Sequence, residues 1–484
     1  MKLYTRMAIA VTVVLALASL AGAQPTWTPL THAFPGVNGA GPMLQLRDGR
    51  IMVHDFCSPN WFVLTPDATG NYVNGTWSSG GSMPSNYGPL YFGSQVLLDG
   101  HTVVVEGGEY NFCNAVWTTQ GAILTYSGGS FTWVANAPPT GWNTIGDAQS
   151  VILADGRYLQ ANCCTNQSAF YNGPNSWLPN GNLVGPDNDE GAYTLLRSGK
   201  LLLADAWSTP CSSSFSSELF DPTTNTWSCG ANTPTQLWDN SGHELGPAIL
   251  MHNGKVFYMG ATNNTAIYTP TTNSWVAGPT PPNGLTGYDA PAALEPSGKI
   301  LEEVGPPAFG NGCQMMEYDP SSNTLTNTAN PSDCPSNPTF PGHLMVLPSG
   351  QIMFTDLDGL IEVYTPAGSA DPVARPTILA ASTNLTHGTT NNILYGKQLN
   401  GLGQNNAYGD DYQGDTDYPL VTLTNTSTGN VYWALTHNES THSIAPGTIM
   451  FTHFDIPATV PPGTYRLQSI ASGISSNAIV VAVH

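Results

Sequence analysis

A chain of 484 residues with 12 Lys and Arg against 33 Asp and Glu, net charge −21, lacks the basic footprint that nucleic acid and anionic membranes demand. Only 9% of its residues are charged, while 51 Gly and 39 Pro join abundant Asn, Ser and Thr, a composition that suits a turn-rich, all-β protein working outside the cell.

The first 23 residues read as a cleaved secretory signal. Lys2 and Arg6 precede an apolar stretch from Met7 to Leu20, and Ala21-Gly22-Ala23 offers the small residues a signal peptidase needs. A membrane anchor is the competing reading, but the apolar run is short for a span. Cleavage near Ala23 removes two basic residues and leaves a more acidic chain, secreted to the extracellular space or the periplasm. No later segment is long and apolar enough to span a membrane, and a soluble monomer is expected.

From residue 24 onward a repeat takes over. A hydrophobic run ends in a turn of Asp-Gly, Ser-Gly or Asn-Gly type, and a second hydrophobic run follows. These turns close at Gly49, Gly100, Gly156, Gly199, Gly254, Gly298 and Gly350, spaced 43 to 56 residues apart. An aromatic, a small polar loop and then Trp trail the turn: Phe220-Asp221-Pro222 to Trp227, Tyr268-Thr269-Pro270 to Trp275, and Tyr318-Asp319-Pro320 to Leu325. A period near fifty with four short strands per unit predicts a seven-bladed, kelch-type β-propeller over residues 24–372. The strand before each turn is innermost and the Trp strand outermost. The last repeat lacks an outer strand, and the N-terminus carries an unmatched one at Pro25-Thr26-Trp27-Thr28. That strand is predicted to complete the seventh blade and leave no open edge.

After Pro372 the pattern changes. Alternating runs such as Leu420-Val421-Thr422-Leu423, Val431-Tyr432-Trp433-Ala434-Leu435, Tyr465-Arg466-Leu467 and Ala478-Ile479-Val480-Val481 predict a C-terminal immunoglobulin-like β-sandwich over residues 373–484. No segment shows useful helical periodicity.

Eight Cys in an exported chain imply disulfides. Cys211 and Cys229 fall within one repeat, as do Cys313 and Cys334, and each couple is expected to pair. Cys57, Cys113 and Cys163 follow the second strands of successive repeats on one rim. They either bridge neighbouring blades, or Cys163 bonds to adjacent Cys164. No C-x-x-C pair supports a metal site.

In a propeller the start of each innermost strand and the end of each second strand reach one face. Alignment on the turns puts Tyr91, Asp147, Glu190 and Glu244 at one shared position, with Asp289 beside it. Asp55, Glu106, Asn162, Asp205 and Asp356 end the second strands. The functional reading is an acidic mouth at the axis. It would hold a hard cation such as Ca²⁺, or supply paired carboxylates for acid–base work on a sugar or ester. The structural reading is that each carboxylate caps backbone N–H groups of a neighbouring loop. His243, directly before Glu244, and His343, which opens the last innermost strand, are candidate ligands or bases. Trp142 and Trp238 lie in rim loops and can stack on sugar rings or merely cover the opening. No G-x-S-x-G elbow and no phosphate-binding Gly-rich loop is present.

The segment Tyr91-Phe92-Gly93-Ser94-Gln95-Val96-Leu97-Leu98-Asp99-Gly100, followed by Glu106-Gly107-Gly108, resembles the part of the galactose oxidase and glyoxal oxidase group that carries a copper-ligating, crosslinked tyrosine, and Tyr91 falls on that tyrosine. The end of the chain, from Val460-Pro461-Pro462-Gly463 to Ser476-Asn477-Ala478, resembles the last domain of the same group. The resemblance covers nearly all of residues 24–484 and implies an exported propeller with a C-terminal sandwich. It also implies copper radical chemistry, but the ligand pattern departs from this. The crosslinking Cys falls near Ala40, the Tyr-His ligand pair near Phe340-Pro341 with His343 two places on, and the last His ligand near Gly409. Acidic residues stand in that last loop, where Asp410 and Asp411 are expected to point at the mouth as metal ligands.

Three expectations follow. The first is a secreted protein that binds or acts on carbohydrate or a cell-surface polymer, with Ca²⁺ as the cation. The second is a divergent copper oxidase using Tyr91 with His243 or His343. The third is a non-catalytic scaffold.

Overall fold

The computed structural model describes residues 24–127, 129–206, 210–211, 215–408 and 416–484. Residues 1–23, predicted to be a signal segment, lie outside them. Among the described residues the chain is all-β, with two short 3-10 turns at Pro282–Gly284 and Cys334–Ser336, and no helix is long and apolar enough to cross a membrane.

Antiparallel four-stranded meanders follow one another along the chain. The first runs Ala40–Gln45, Ile51–Asp55, Asn60–Thr65, Thr76–Ser82, and the second Gly93–Val96, Thr102–Glu106, Gly121–Ser127, Ser130–Asn136. Similar sheets begin at Ser150–Ile152, Thr194–Leu195, Ala248–Leu250 and Ala292–Leu294. The last of the series starts at His343–Val346, and its outer edge is the N-terminal strand Thr26–Pro29, paired antiparallel to Glu362–Thr365. Most neighbouring first strands pack side by side, and the strand at 343–346 meets the strand at 40–45, so the series returns to its start. The fold is a β-propeller.

The repeat signals have direct physical causes. All seven turn glycines have φ between 77° and 88°, where a Cβ is strained, so Gly is the favoured residue there. The trailing motif places each aromatic opposite a large apolar partner: Phe220 pairs with Trp227, Tyr268 with Trp275, and Tyr318 with Leu325. Cross-strand aromatic pairs of this kind fix register. The hydroxyls of Tyr268 and Tyr318 each donate to an Asn in the left-handed region, Asn273 and Asn323, at 3.0 Å.

Closure by the N-terminal strand rests on Trp27. Its indole packs against Phe354 and Tyr364, with centroids at 5.7 and 5.0 Å, and its Nε1 donates to Ala329 O at 2.7 Å. Trp27→Ala is expected to cost about 2–3 kcal/mol, below the range for fully buried Trp because the ring is half exposed. Urea unfolding would check this, and an unchanged midpoint would remove the closure from the stability account.

The C-terminal strands form one hydrogen-bonded path from Thr377–Ala381 to Ile479–Val483, ending in a parallel pairing of Asn384–Leu385 with Ala482–Val483. They enclose a separate core that includes Leu394, Val421, Leu423, Phe454, Tyr465, Leu467 and Val481. This unit sits on the turn end of the propeller. A Cβ on Gly49 would lie 2.3 Å from the Trp433 ring, one on Gly100 2.5 Å from Thr436 O, and one on Gly350 3.0 Å from Gly473 O.

Four disulfides account for all eight cysteines: Cys57–Cys113, Cys163–Cys164, Cys211–Cys229 and Cys313–Cys334. Both options open for the first four cysteines are realised, since one bond joins neighbouring sheets and one is vicinal.

Candidate functional site

A cavity of about 420 Å³ opens at the start of the innermost strands. It is lined by Tyr91, Glu109, Tyr110, Asp147, Glu190, Glu244, Asp289, Phe309, Phe340 and Tyr408. The four residues aligned by the turns, and Asp289 beside them, thus meet in one space although nearly 200 residues separate the first from the last. Tyr91, Asp147 and Glu244 are buried, and Glu190 and Asp289 half-buried.

The backbone presents them in a common way. Tyr91, Glu190 and Asp289 have φ of 49°, 55° and 45°, while Gly146 and His243, directly before Asp147 and Glu244, have φ of 63° and 67°. A left-handed residue therefore turns the chain into each of these strands. At non-Gly positions this conformation costs roughly 1–3 kcal/mol and concentrates at functional sites. Neighbouring loops support it. Gly107, in the Gly-Gly doublet, lies so close that a Cβ there would sit 2.3 Å from Gly146 O, and Gly108 N donates to that carbonyl at 2.6 Å. Glu109 N donates to Tyr91 O at 3.0 Å. Asp239 Oδ1 accepts from Gly242 N at 3.0 Å and Glu244 N at 3.1 Å, which holds the loop that delivers Glu244.

Carboxylates crowd here. One oxygen each from Glu190, Glu244 and Asp289 lie within 4.8 Å of one another, and the same holds for Asp147, Asp189 and Glu190. Glu190 joins both groups. Like charges this close repel one another unless nearby groups offset them. The field reaches the neighbouring phenols: burial, then Glu109 and Asp147, raise the Tyr110 hydroxyl, and burial with Glu244, Asp239 and Asp289 around it raises that of Tyr288.

The rest of the lining is aromatic. The C-terminal unit sends Gln404–Tyr408 back along the innermost strands. Gln404 N donates to Leu250 O at 2.8 Å, Leu294 N donates to Asn405 O at 2.7 Å, and Asn406–Ala407 pairs with Ala292–Ala293. This finger carries Tyr408 to the mouth. Its ring stacks on Tyr91 (6.2 Å, 12°) and on His343 (5.2 Å, 7°), and its hydroxyl donates to Phe340 O at 2.6 Å. His343 is buried behind it, and burial together with nearby His54 lowers its imidazole to about 3, so it is neutral at ordinary pH.

Other sequence candidates lie elsewhere. Asp410 and Asp411 fall outside the described residues. Trp142 lines a separate crevice of about 330 Å³ with Pro138, Asn175 and Trp177. Trp238 stacks on His243 at 5.0 Å, and a nitrogen of that ring lies 3.0 Å from Ala206 O. The acids that end the second strands do not line the cavity. Asp55 accepts from Asn38 N and Gly39 N, Glu106 from Asn136 Nδ2, and Asp205 from Ser216 Oγ. Asp55 thus caps backbone N–H groups as the structural reading expects, while Glu106 and Asp205 are held by side chains instead, and all three are corrected out of the mouth. Sequence reasoning missed Glu109, Tyr110, Phe309 and Phe340 as mouth residues, and Asp189 beside them. Only Asp189, next to the aligned Glu190, and Glu109-Tyr110, next to the Gly-Gly doublet, carried a local signal.

No protein-family model matches the chain, and no curated protein matches it significantly in sequence. Solved structures do. A catalytically inactive virginiamycin B lyase from Staphylococcus aureus with quinupristin matches at TM-score 0.50 and 12% identity, covering 71% of this chain and 99% of that one. The selenomethionine form of that lyase gives 0.48 and 11% over 71% and 99%. A fungal alcohol oxidase of the AA5 family in complex with copper gives 0.41 and 12%, covering 81% of this chain and 96% of that one. At these identities the likeness speaks to the fold alone.

Proposed function

We propose that this is a secreted, seven-bladed kelch-type propeller (residues 24–372) with an immunoglobulin-like sandwich (373–484), and that its acidic axial mouth binds carbohydrate or a related cell-surface polymer together with a cation such as Ca²⁺. The observation that carries the reading is the meeting of five carboxylates with an aromatic wall in one cavity. Aromatic faces suit the apolar faces of sugar rings, and convergent carboxylates accept from hydroxyls or ligate a hard cation. Among the described residues the charged groups that line the cavity are all acidic, which favours a neutral or cationic ligand.

Copper radical chemistry, which the sequence resemblance implies, does not fit these residues. All eight cysteines are in disulfides, and Ala40 stands where the crosslinking thiol belongs, so no free thiol is available for a thioether. His343 stacks behind Tyr408, and His243 lies against Trp238.

Calorimetry with Ca²⁺ and a glycan array test the proposal, with elemental analysis of the natively exported protein alongside. Binding that weakens by about 10- to 100-fold in Glu190→Gln is the expected result. A chain that takes up neither cation nor glycan, with Glu190→Gln altering stability alone, would leave the scaffold interpretation instead.

A further inference from the structure

A second group of carboxylates stands at the seam where the ring closes, and none of them lines the mouth cavity. Asp356 follows the strand Ile352–Thr355, Asp358 lies in the turn leading to Glu362–Thr365, and Asp333 precedes the turn Cys334–Ser336, which the Cys313–Cys334 bond anchors. One oxygen from each lies within 4.8 Å of the other two.

The second observation is an orphaned atom. Asp356 is only 7% exposed. Its Oδ2 accepts from Asn337 Nδ2 at 3.0 Å, while its Oδ1 is buried without a hydrogen-bond donor. A buried carboxylate oxygen without a donor is costly, and two more carboxylates beside it add repulsion. None of the ion pairs among the described residues engages any of the three. Glu362 stands nearby, but its Oε2 already accepts from Ser332 N and Oγ.

We propose that Asp333, Asp356 and Asp358 form a site for a hard divalent cation, Ca²⁺ by preference, that clamps the closing seam of the propeller. Carboxylates on loops, of which two are half exposed, suit the variable oxygen coordination of Ca²⁺ better than the strict octahedron of Mg²⁺. The site's placement gives it a role. Ala40 N donates to Asp358 O at 2.5 Å and Leu357 N to Ala40 O at 3.0 Å, so the turn that carries two of the ligands is bonded to the first sheet. Glu362, at the end of that turn, pairs with Pro29 of the N-terminal strand. A cation here ties the disulfide-anchored loop to the point where both ends of the propeller meet.

The test uses a full chain whose mouth is disabled by Glu190→Gln and Glu244→Gln, so that failure of the mouth proposal is read separately. Calorimetry is expected to show that this chain still binds one Ca²⁺ and melts higher in Ca²⁺ than in EDTA. Adding Asp358→Asn should weaken binding at least about tenfold and abolish the Ca²⁺-dependent gain. In EDTA the same substitution should melt no lower than its parent, because it relieves repulsion while Asn keeps an acceptor for Leu360 N, now bonded to Asp358 Oδ1 at 2.6 Å. Asp333→Asn should repeat the pattern from the other side. Loss of all Ca²⁺ binding in the mouth-disabled chain overturns the seam site, as does an undiminished Ca²⁺ response in Asp358→Asn or a lower melting point for it in EDTA. Equal stoichiometry in wild-type and mouth-disabled chains instead counts against a cation at the mouth and leaves the seam site standing.

Discussion

Glu439→Gln is expected to destabilise the protein by about 3–5 kcal/mol, measured by guanidinium unfolding. Glu439 and Arg47 are both fully buried, and they pair bidentately: Arg47 Nη1 donates to Oε2 at 2.8 Å and Nη2 to Oε1 at 3.0 Å. His442 Nδ1 lies 3.0 Å from Oε1, and the guanidinium rests over Tyr418 at 4.1 Å. Arg47 belongs to the first propeller turn and Glu439 to the C-terminal unit, so the pair pins the two together. Removing one charge strands the other where water cannot reach it, and that penalty exceeds the worth of the pair itself. A double change of Arg47→Met with Glu439→Leu should therefore recover part of the loss. The pH dependence has a definite sign. Burial alone would raise the Glu439 carboxyl, but Arg47 and His442 outweigh it and hold the carboxyl at about 2. A carboxyl depressed in the folded state lends stability above its unfolded value, near 4.5, and that stability is lost as pH falls toward 2. Glu439→Gln should flatten this acid limb. If wild type and variant lost stability in parallel between pH 5 and 2, the pair would not be the source.

How much of this was legible in the chain follows from what is local. A turn glycine at φ near 80° and an aromatic pair across one hairpin are written in adjacent residues, so they recur in register and can be aligned. The alignment also brought Tyr91, Asp147, Glu190 and Glu244 to one position, with Asp289 beside it, because a ring of similar sheets converts sequence register into radial position. The aromatic wall obeys no such rule. Tyr408 arrives on a finger whose path depends on pairing with Ala292–Ala293, more than 100 residues earlier, and Phe309 and Phe340 come from loops of irregular length. The acids that end the second strands recur just as regularly as those at the mouth. Their side chains turn to backbone N–H groups and neighbouring side chains instead, as Asp55 does to Asn38 and Gly39. Periodicity alone could not separate the two sets, since both follow from the same repeat.

Glu190→Gly separates binding from stability at the mouth, and the expected result is a protein that binds there about 10- to 100-fold more weakly yet unfolds later. Glu190 has φ of 55°, a conformation Gly adopts freely and Glu only at a cost. Relief of that strain is worth roughly 1 kcal/mol or more, partly offset by the larger conformational freedom that Gly gives the unfolded chain. The same substitution removes the carboxylate common to both oxygen clusters, Glu190 with Glu244 and Asp289, and Glu190 with Asp147 and Asp189. Crowding among the remaining acids falls, which adds to stability when no cation is present. Glu190→Gln keeps the strained backbone and loses only the charge, so it should bind as poorly as the Gly variant while gaining less stability. A structural carboxylate predicts the opposite order. If Glu190 held its loop together, both variants would melt earlier than wild type, with Gly the worse of the two. Thermal melts of the three proteins in EDTA, set beside their Ca²⁺ and glycan affinities, distinguish the cases. A fall in melting temperature for Glu190→Gly would mean that the left-handed turn is held for the fold rather than for a ligand.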